Sequence, residues 1–319
     1  MKFSKIILMW SLFISIFMAF STSSLFSLWI SMEVNMMSFI PIMNMKTMSS
    51  TNSIILYFMV QALASSLFIM TLMIFFLGII NSNLTYLLMC PLLIKMGAAP
   101  FHIWFPQVSE GMTLKTFLIL STIQKLIPLQ VTSLMSNKIL MIPVIMSSLL
   151  GSLGGLNQIS IRKIMAFSSI THLAWMLSLI LINSNLWLVY FLIYTLIMTK
   201  IMNFFSIFNF SNLNQNYCIM TFSNALTISI LLLSLGGLPP FLGFFMKWFS
   251  FKLIMIQFKI LSLPLLFSSL LNLYFYIRII YPLLLKNFNF NKFTLNYNNM
   301  IMSLIFFQIL AIMFLIPMI

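Results

Sequence analysis

The fold of this chain is decided at KMGAAPFHIWFPQVSEG, residues 95–111, where a lysine, a histidine and two prolines interrupt an apolar region. Strongly apolar segments lie on either side, NLTYLLMCPLLI (83–94) and MTLKTFLILSTIQ (112–124). Apolar runs recur along the whole chain, and roughly 20 such residues are what a helix needs to cross a bilayer. The stretch therefore places a cation inside a region that reads as membrane-spanning.

The composition predicts an all-α integral membrane protein. Of the 319 residues, 62% are hydrophobic and 6% are charged, whereas soluble domains carry about 25% charged residues. The apolar runs lack the period-2 alternation of a membrane β-barrel. We therefore expect a polytopic membrane helical bundle that forms a single transmembrane domain, residues 1–319.

The apolar runs predict about eleven transmembrane helices. The first run has no small-residue cleavage site, so we interpret it as a helix and not as a signal peptide. The ninth and tenth runs are long enough to form broken or strongly tilted helices. The predicted spans are roughly 4–22, 24–44, 52–78, 84–106, 112–135, 138–157, 162–183, 186–209, 221–250, 255–285 and 300–319.

The charged and cysteine residues exclude several functions. Sixteen Lys and Arg against two acidic residues give a net charge of +14, but the cations are scattered singly, so we expect no nucleic-acid partner. Their excess on one side places the N-terminus inside and the C-terminus outside. Cys90 and Cys218 lack the spacing of an iron–sulfur or other metal site and are expected to pack.

Four ionisable residues lie well inside predicted spans: Glu33, Lys95, Lys125 and Lys247. A charge at the middle of a membrane helix costs about 2.5–3.5 kcal/mol, whereas each Leu or Ile returns only about 0.3–0.6 kcal/mol. Such residues face the interior of the bundle and usually mark an ion path. These four positions are therefore the candidate proton relay.

Lysine suits a relay because burial favours its neutral form, so that a buried lysine can release a proton near neutral pH. While Glu33 is paired with Lys95, the lysine holds its proton, and when the pair separates the lysine passes the proton on. The alternative is a static ion pair that only fixes the register of two helices. One carboxylate against three buried lysines favours the relay.

Helix-breaking residues accompany Lys247. The stretch LSLGGLPPFLGFFMKWF (233–249) sets Gly236, Gly237, Pro239 and Pro240 about two turns before this lysine. Each proline frees a carbonyl inside the membrane, which is tolerated where the backbone is buried in protein or lines a water-filled cavity. We therefore expect a broken helix beside Lys247.

The fourth predicted span repeats this arrangement. Lys95, Ala99, His102 and Pro106 are expected on one helix face, with Pro100 interrupting the hydrogen bonds of the helix. Histidine is a common proton shuttle in proteins, so His102 is expected to pass a proton between Lys95 and the surface. Alternatively, it donates to a freed carbonyl and keeps its charge state, and the sequence leaves both interpretations open.

A second histidine lies in the predicted seventh span. His172 shares a helix face with Ser168 and Trp175. It is a further candidate for proton access or for orienting a neighbouring group. For this histidine we favour a hydrogen-bonded structural role over proton access.

Four motifs resemble the antiporter-like proton-pumping subunits of respiratory complex I, in order and in spacing. They are LLIKMGAAPFHIWFPQVSEG, STIQKLIPL, GLNQISIRKIMAFSSITHLAWM and LSLGGLPPFLGFFMKW. The resemblance covers roughly residues 20–280. It implies an antiporter-like bundle in which the family's coupling carboxylate falls on Glu33, its partner lysine on Lys95, its central lysine on Lys125 and its distal lysine on Lys247.

Two positions depart from the family pattern. Gln107 stands where many relatives have Glu, which weakens any expectation of a carboxylate at the mouth of the fourth span. Ala174 stands where Gly is usual, a change that we expect to affect packing only.

The resemblance implies a core membrane-arm subunit that moves protons across the mitochondrial inner membrane, driven by electron transfer from NADH to ubiquinone elsewhere in the complex. It implies other membrane-arm subunits and the lipid bilayer as partners, the N-terminus in the matrix and the C-terminus in the intermembrane space. We expect no cofactor or metal in this chain and no small-molecule substrate beyond protons and water. The alternatives are a free-standing cation/proton antiporter, which would normally need more carboxylates, and a passive scaffold subunit.

Overall fold

Helices account for most of the described residues in the computed structural model, which describes residues 2–45, 47–77, 84–135, 138–208, 210–212, 222–239 and 241–290. Within these ranges the only β-structure is an isolated bridge between Ser160 and Asn212. The helices are α1 (Lys2–Ser21), α2 (Leu25–Met43), α3 (Met48–Phe76), α4 (Leu84–Met96), α5 (Trp104–Glu110), α6 (Leu114–Ser121), α7 (Ile123–Leu134), a 3₁₀ helix (Lys138–Leu140), α8 (Met141–Leu156), α9 (Ile161–Leu181), α10 (Leu186–Ile207), α11 (Phe222–Gly236), α12 (Leu242–Gln257) and α13 (Lys259–Phe290).

The lengths and apolar composition of the helices confirm the predicted all-α polytopic bundle. Seven spans in the described part of the chain are long and apolar enough to cross a membrane, with α6 and α7 together forming one of them. Shorter apolar helices occur at Lys5–Ser21, Leu87–Met96 and Asn224–Gly236. The predicted count of about eleven is not confirmed, and the predicted span 300–319 lies outside the described residues.

The prediction of one helix over 84–106 is wrong, because α4 ends at Met96 and α5 begins eight residues later at Trp104. Gly97 adopts a φ of +69°, a left-handed conformation that glycine takes without steric cost. The N–H groups of Gly97 and Ala98 then bond to the carbonyls of Ile94 and Leu93, both at 3.1 Å. This is the hydrogen-bond pattern of a Schellman helix end.

The predicted span 112–135 contains a break that the sequence analysis missed. Thr122 separates α6 from α7 with φ −118° and ψ −83°, outside the helical region. Its hydroxyl donates to the carbonyl of Leu118 at 2.6 Å. Lys125 therefore lies in the first turn of a new helix.

The structure places a break near Gly236 and Gly237 in the ninth predicted span, which divides into α11 and α12. Gly237 has a φ of +84°, and the N–H groups of Gly237 and Leu238 bond to the carbonyls of Ser234 and Leu233 at 3.2 Å. This end therefore has the same geometry as that of α4, with Pro239 in the turn that follows. Pro240 lies outside the described residues.

The central element of the bundle is α9. In its most apolar stretch 94% of the residues are buried, as expected of a helix that is hydrophobic on all sides. It contacts α5, α7, α8, α10, α12 and α13. Gly151 on α8 allows close approach to α9, because a Cβ there would meet Thr171. Residues of α9 therefore reach the interior between the lysine-bearing helices.

Candidate functional site: a buried line of charges

The first two predicted relay residues form an ion pair. Glu33 on α2 and Lys95 at the end of α4 are 62 residues apart in sequence, and Lys95 Nζ lies 3.3 Å from Glu33 Oε1. The side chain of Lys95 is 4% exposed and that of Glu33 is 20% exposed. Because burial removes most of the water around both groups, each charge has the other as its main partner.

Neutral side chains satisfy the carbonyls at the end of α4. The indole Nε1 of Trp104 donates to the carbonyl of Ile94 at 3.1 Å, and the amide of Gln61 donates to the carbonyl of Lys95 at 3.3 Å. The last turn of a helix leaves carbonyls without partners in the helix. Since Trp104 and Gln61 supply donors, the ammonium of Lys95 is available to Glu33.

An amide bridge, formed by Asn35, Gln124 and Tyr57, connects three helices between this pair and Lys125. The amide of Gln124 donates to Asn35 Oδ1 at 2.8 Å, and the Tyr57 hydroxyl donates to Gln124 Oε1 at 2.9 Å. The three residues of this bridge were not predicted as site residues from the sequence. The available signal was the presence of polar side chains inside apolar spans, because buried polar groups are nearly always hydrogen-bonded.

We expect Gln124→Leu to reduce coupled turnover by roughly tenfold or more, because small displacements of reacting groups have effects of that size. Gln124 precedes Lys125 directly, and its loss leaves the Tyr57 hydroxyl and the Asn35 amide without their partner. The measurement is NADH-driven proton translocation by the assembled complex. The control is Gln130→Leu on the same helix, and equal turnover in the two variants would contradict a positioning role.

Lys125 is 2% exposed and has no carboxylate as a hydrogen-bond partner. Its Nζ donates to the Ser169 hydroxyl at 3.1 Å and lies 4.2 Å from the centroid of the Phe105 ring. A cation over an aromatic face is attracted by the electrons of the ring. The contacts of Lys125 are therefore a neutral hydrogen-bond acceptor and an aromatic face, with no opposite charge among them.

Aromatic hydroxyls surround His172 in the middle of the bundle. His172 Nδ1 lies 2.9 Å from the Tyr190 hydroxyl, and its ring centroid is 5.0 Å from that of Tyr194. The Tyr194 hydroxyl and Nε2 of His172 are both buried and have no hydrogen-bond partner among the described residues. The charges of Lys125 and Lys247 both act on the His172 ring. His172 is thus hydrogen-bonded, as predicted, and within electrostatic reach of both lysines.

Lys247 caps the broken end of α11. Its Nζ donates to the carbonyl of Gly236 at 2.6 Å, while its side chain is carried by α12. A positive charge is favoured near the C-terminus of a helix, where the carbonyl groups are unpaired. The break and the lysine therefore form one unit, and the bond provides a link between the position of α11 and the charge on α12.

We expect Gly237→Ala to destabilise this unit by about 1–3 kcal/mol, the usual cost of a strained backbone conformation. A Cβ at Gly237 would lie 2.9 Å from Cδ of Lys247, in addition to the strain of a φ of +84°. The measurement is the temperature at which the solubilised complex dissociates. Ser229→Ala in α11 is the control. Equal dissociation temperatures for the two variants would contradict the role of Gly237 in stabilising the broken end of α11.

His102, the other histidine proposed for proton access, does not lie on the helix that carries Lys95. His102 is in the turn between α4 and α5, not on the helix face that carries Lys95, because α4 has already ended. Its Nδ1 is 3.3 Å from the carbonyl of Pro100, and its ring centroid is 6.4 Å from that of Phe167. The expectation that His102 and Pro106 share a face with Lys95 is therefore wrong.

Known proteins share the sequence of this chain over most of its length. The family model described as "NADH:quinone oxidoreductase/Mrp antiporter, TM" matches residues 22–272. NADH-ubiquinone oxidoreductase chain 2 of Anopheles gambiae is 42% identical over 318 residues, 95% of this chain and 93% of that protein.

Two solved structures share the fold at low identity. A chain of respiratory complex I from Thermus thermophilus has a TM-score of 0.80 at 21% identity, over 89% of this chain and 71% of that one. A chain of the Mrp complex from Dietzia sp. DQ12-45-1b has a TM-score of 0.76 at 18% identity, over 83% of this chain and 57% of that one. Because the family match includes all four buried charges, and the Anopheles gambiae protein is similar over nearly the full length, this chain belongs to the NADH:quinone oxidoreductase/Mrp antiporter transmembrane family.

Proposed function

We propose that this chain is the counterpart of NADH-ubiquinone oxidoreductase chain 2, a core membrane-arm subunit that translocates protons across the mitochondrial inner membrane. The observation that carries the proposal is the line of buried charges, in which the pair of Glu33 and Lys95, then Lys125, then Lys247 lie in one bundle with polar groups between them. Buried ionisable groups in a membrane bundle mark ion and proton paths.

The coupling step begins at the ion pair. A perturbation reaching the chain from the quinone site weakens the contact between Glu33 and Lys95, so that Lys95 loses the charge that holds its proton. The amide bridge ties the helix of Glu33 to the helix of Lys125. Separation of Glu33 and Lys95 therefore moves the side chains around Lys125 and also changes the electrostatic potential at its ammonium group.

The second step runs from Lys125 to Lys247. On this proposed route the Ser169 hydroxyl, the Tyr194 hydroxyl and the His172 ring supply donors and acceptors for protons. Charging Lys125 disfavours a charge on His172 and on Lys247, because like charges in a low-dielectric interior repel strongly. Lys247 then exchanges its proton as its bond to Gly236 forms or breaks.

Redox chemistry is assigned to other subunits. The chain has two cysteines, half the number of cysteine ligands that hold a typical iron–sulfur cluster. The proposed partners are the other membrane-arm subunits and the bilayer, with the whole chain forming one transmembrane domain. The N-terminus is proposed to face the matrix and the C-terminus the intermembrane space.

The test begins with the source membranes. Complexes are solubilised gently, separated on a native gel and stained for NADH oxidation, and the chain is located by mass spectrometry. Migration of the chain with the large NADH-oxidising band is the expected result. Migration as an isolated protein would contradict the proposal and would favour a free-standing cation/proton antiporter.

A further inference from the structure

A cavity of about 650 Å³ opens at the end of the bundle where α1, α6 and α9 begin and α2 and α10 end. Its lining contains three cations, Lys5, Lys115 and Arg162, and no carboxylate. Lys5 and Lys115 are exposed, and Met45 is 41% exposed beside them. The cavity is therefore accessible from outside the bundle and carries an excess of positive charge.

Hydrogen bonds hold Arg162 at the wall of this cavity. Its Nη1 donates to the carbonyls of Glu110 and Met112, both at 2.6 Å. The carboxylate of Glu110 lies 2.6 Å from Nζ of Lys163, which is outside the cavity lining. Glu110 is thus paired with Lys163, and its charge also acts on Arg162. One carboxylate beside four cations still leaves this end of the bundle with an excess of positive charge.

An apolar groove of about 400 Å³ leads away from the cavity along α1. It is lined by Lys5, Ile6, Met9, Trp10 and Phe13, and it shares Lys5 and Met9 with the cavity. At about 1.5 Å per residue, the helix covers about 12 Å between Lys5 and Phe13. That distance is close to the roughly 15 Å hydrocarbon depth of one leaflet.

We infer that an anionic phospholipid occupies this site, with its phosphate against Lys5, Lys115 and Arg162 and one acyl chain in the groove along α1. Basic pockets between transmembrane helices recognise anionic headgroups, and guanidinium and ammonium groups form strong hydrogen bonds to phosphate. Free inorganic phosphate would engage the cations but leave the apolar groove unfilled. The inference concerns lipid binding only and holds whether or not the chain relays protons.

Photo-cross-linking in the assembled complex tests this inference. The purified, delipidated complex is placed in phosphatidylcholine nanodiscs that contain a small share of phosphatidylglycerol with a diazirine in its acyl chain, and labelled residues are mapped by mass spectrometry. The variant is Lys5→Gln/Lys115→Gln, which removes two exposed charges at similar side-chain length. The matched control is Lys200→Gln/Lys259→Gln, two exposed lysines outside the cavity.

Labelling of residues 5–13 is expected in the wild type and in the control. In the Lys5→Gln/Lys115→Gln variant we expect it to fall by about fivefold for each lysine, hence about 25-fold, since a basic residue near an anionic lipid surface contributes roughly that factor. Phosphatidylcholine with the same diazirine should label this segment weakly in all three complexes.

Three outcomes would overturn the inference. Equal labelling by the two lipids in the wild-type complex indicates nonselective lipid contact, and this comparison requires no variant. Equal phosphatidylglycerol labelling in all three complexes shows that the cations do not select the ligand. Absence of phosphatidylglycerol labelling on residues 5–13 in the wild-type complex shows that lipid does not reach the groove, the result expected if a neighbouring subunit fills it.

Discussion

Replacing Lys247 with methionine is expected to leave the complex assembled and to reduce NADH-driven proton translocation about 100-fold, the lower range of what a positioned acid–base group contributes. Methionine retains a long flexible side chain but can neither carry a proton nor donate to the carbonyl of Gly236. Assembly should survive, because removing a charge from the membrane interior relieves a cost of about 2.5–3.5 kcal/mol.

The control for this variant is Lys252→Met on the same helix. Lys252 is exposed and its Nζ lies 3.8 Å from the centroid of the Trp248 ring, outside the buried line of charges. The measurement is the number of protons translocated per electron, together with the rate of NADH oxidation. A normal proton-to-electron ratio in assembled Lys247→Met complex would show that the chain is a passive scaffold.

We expect Glu33→Gln to slow coupled turnover by roughly 100-fold, again the scale of a positioned acid–base group, and to impair assembly much less. Glutamine keeps an oxygen that accepts a hydrogen bond from Lys95 but loses the charge that controls its proton. Turnover is measured as NADH-driven proton translocation, and assembly as the amount of complex on a native gel. Loss of assembly alone would indicate that the ion pair is structural.

A double variant separates these two roles further. Glu33→Leu leaves the ammonium of Lys95 buried and unpaired, which costs about 3 kcal/mol or more, so assembly should fall. Glu33→Leu/Lys95→Met removes both charges and should restore assembly without restoring proton translocation. Recovery of both properties together would contradict the relay.

The sequence was sufficient to predict the features that depend on the free energy of single residues in their own helix. A charge inside an apolar run is expensive wherever the helix packs, so Glu33, Lys95, Lys125 and Lys247 were identifiable as buried functional candidates. Gly236 and Gly237 interrupt a helix for local backbone reasons, and α11 ends at the first of them.

The contacts between these residues were not predictable, because their partners are distant along the chain. Lys95 and Glu33 are 62 residues apart, Lys125 and Ser169 are 44 apart, and Gln124 and Asn35 are 89 apart. Hydropathy and spacing describe one helix at a time and contain no information on which helices become neighbours. The amide bridge was missed for this reason.

The local backbone geometry at the end of α4 also decided the position of His102, which the periodic spacing of the sequence could not predict. The spacing of Lys95 and His102 fits one face of a continuous helix. However, α4 ends just before Gly97, so His102 lies in the turn that follows and not on that face. By itself the sequence determined that the chain is an all-α membrane bundle with four charges inside it, because apolar length and buried charge are properties of single segments. Only the tertiary structure decided which charges meet, since that depends on how separate helices pack around α9.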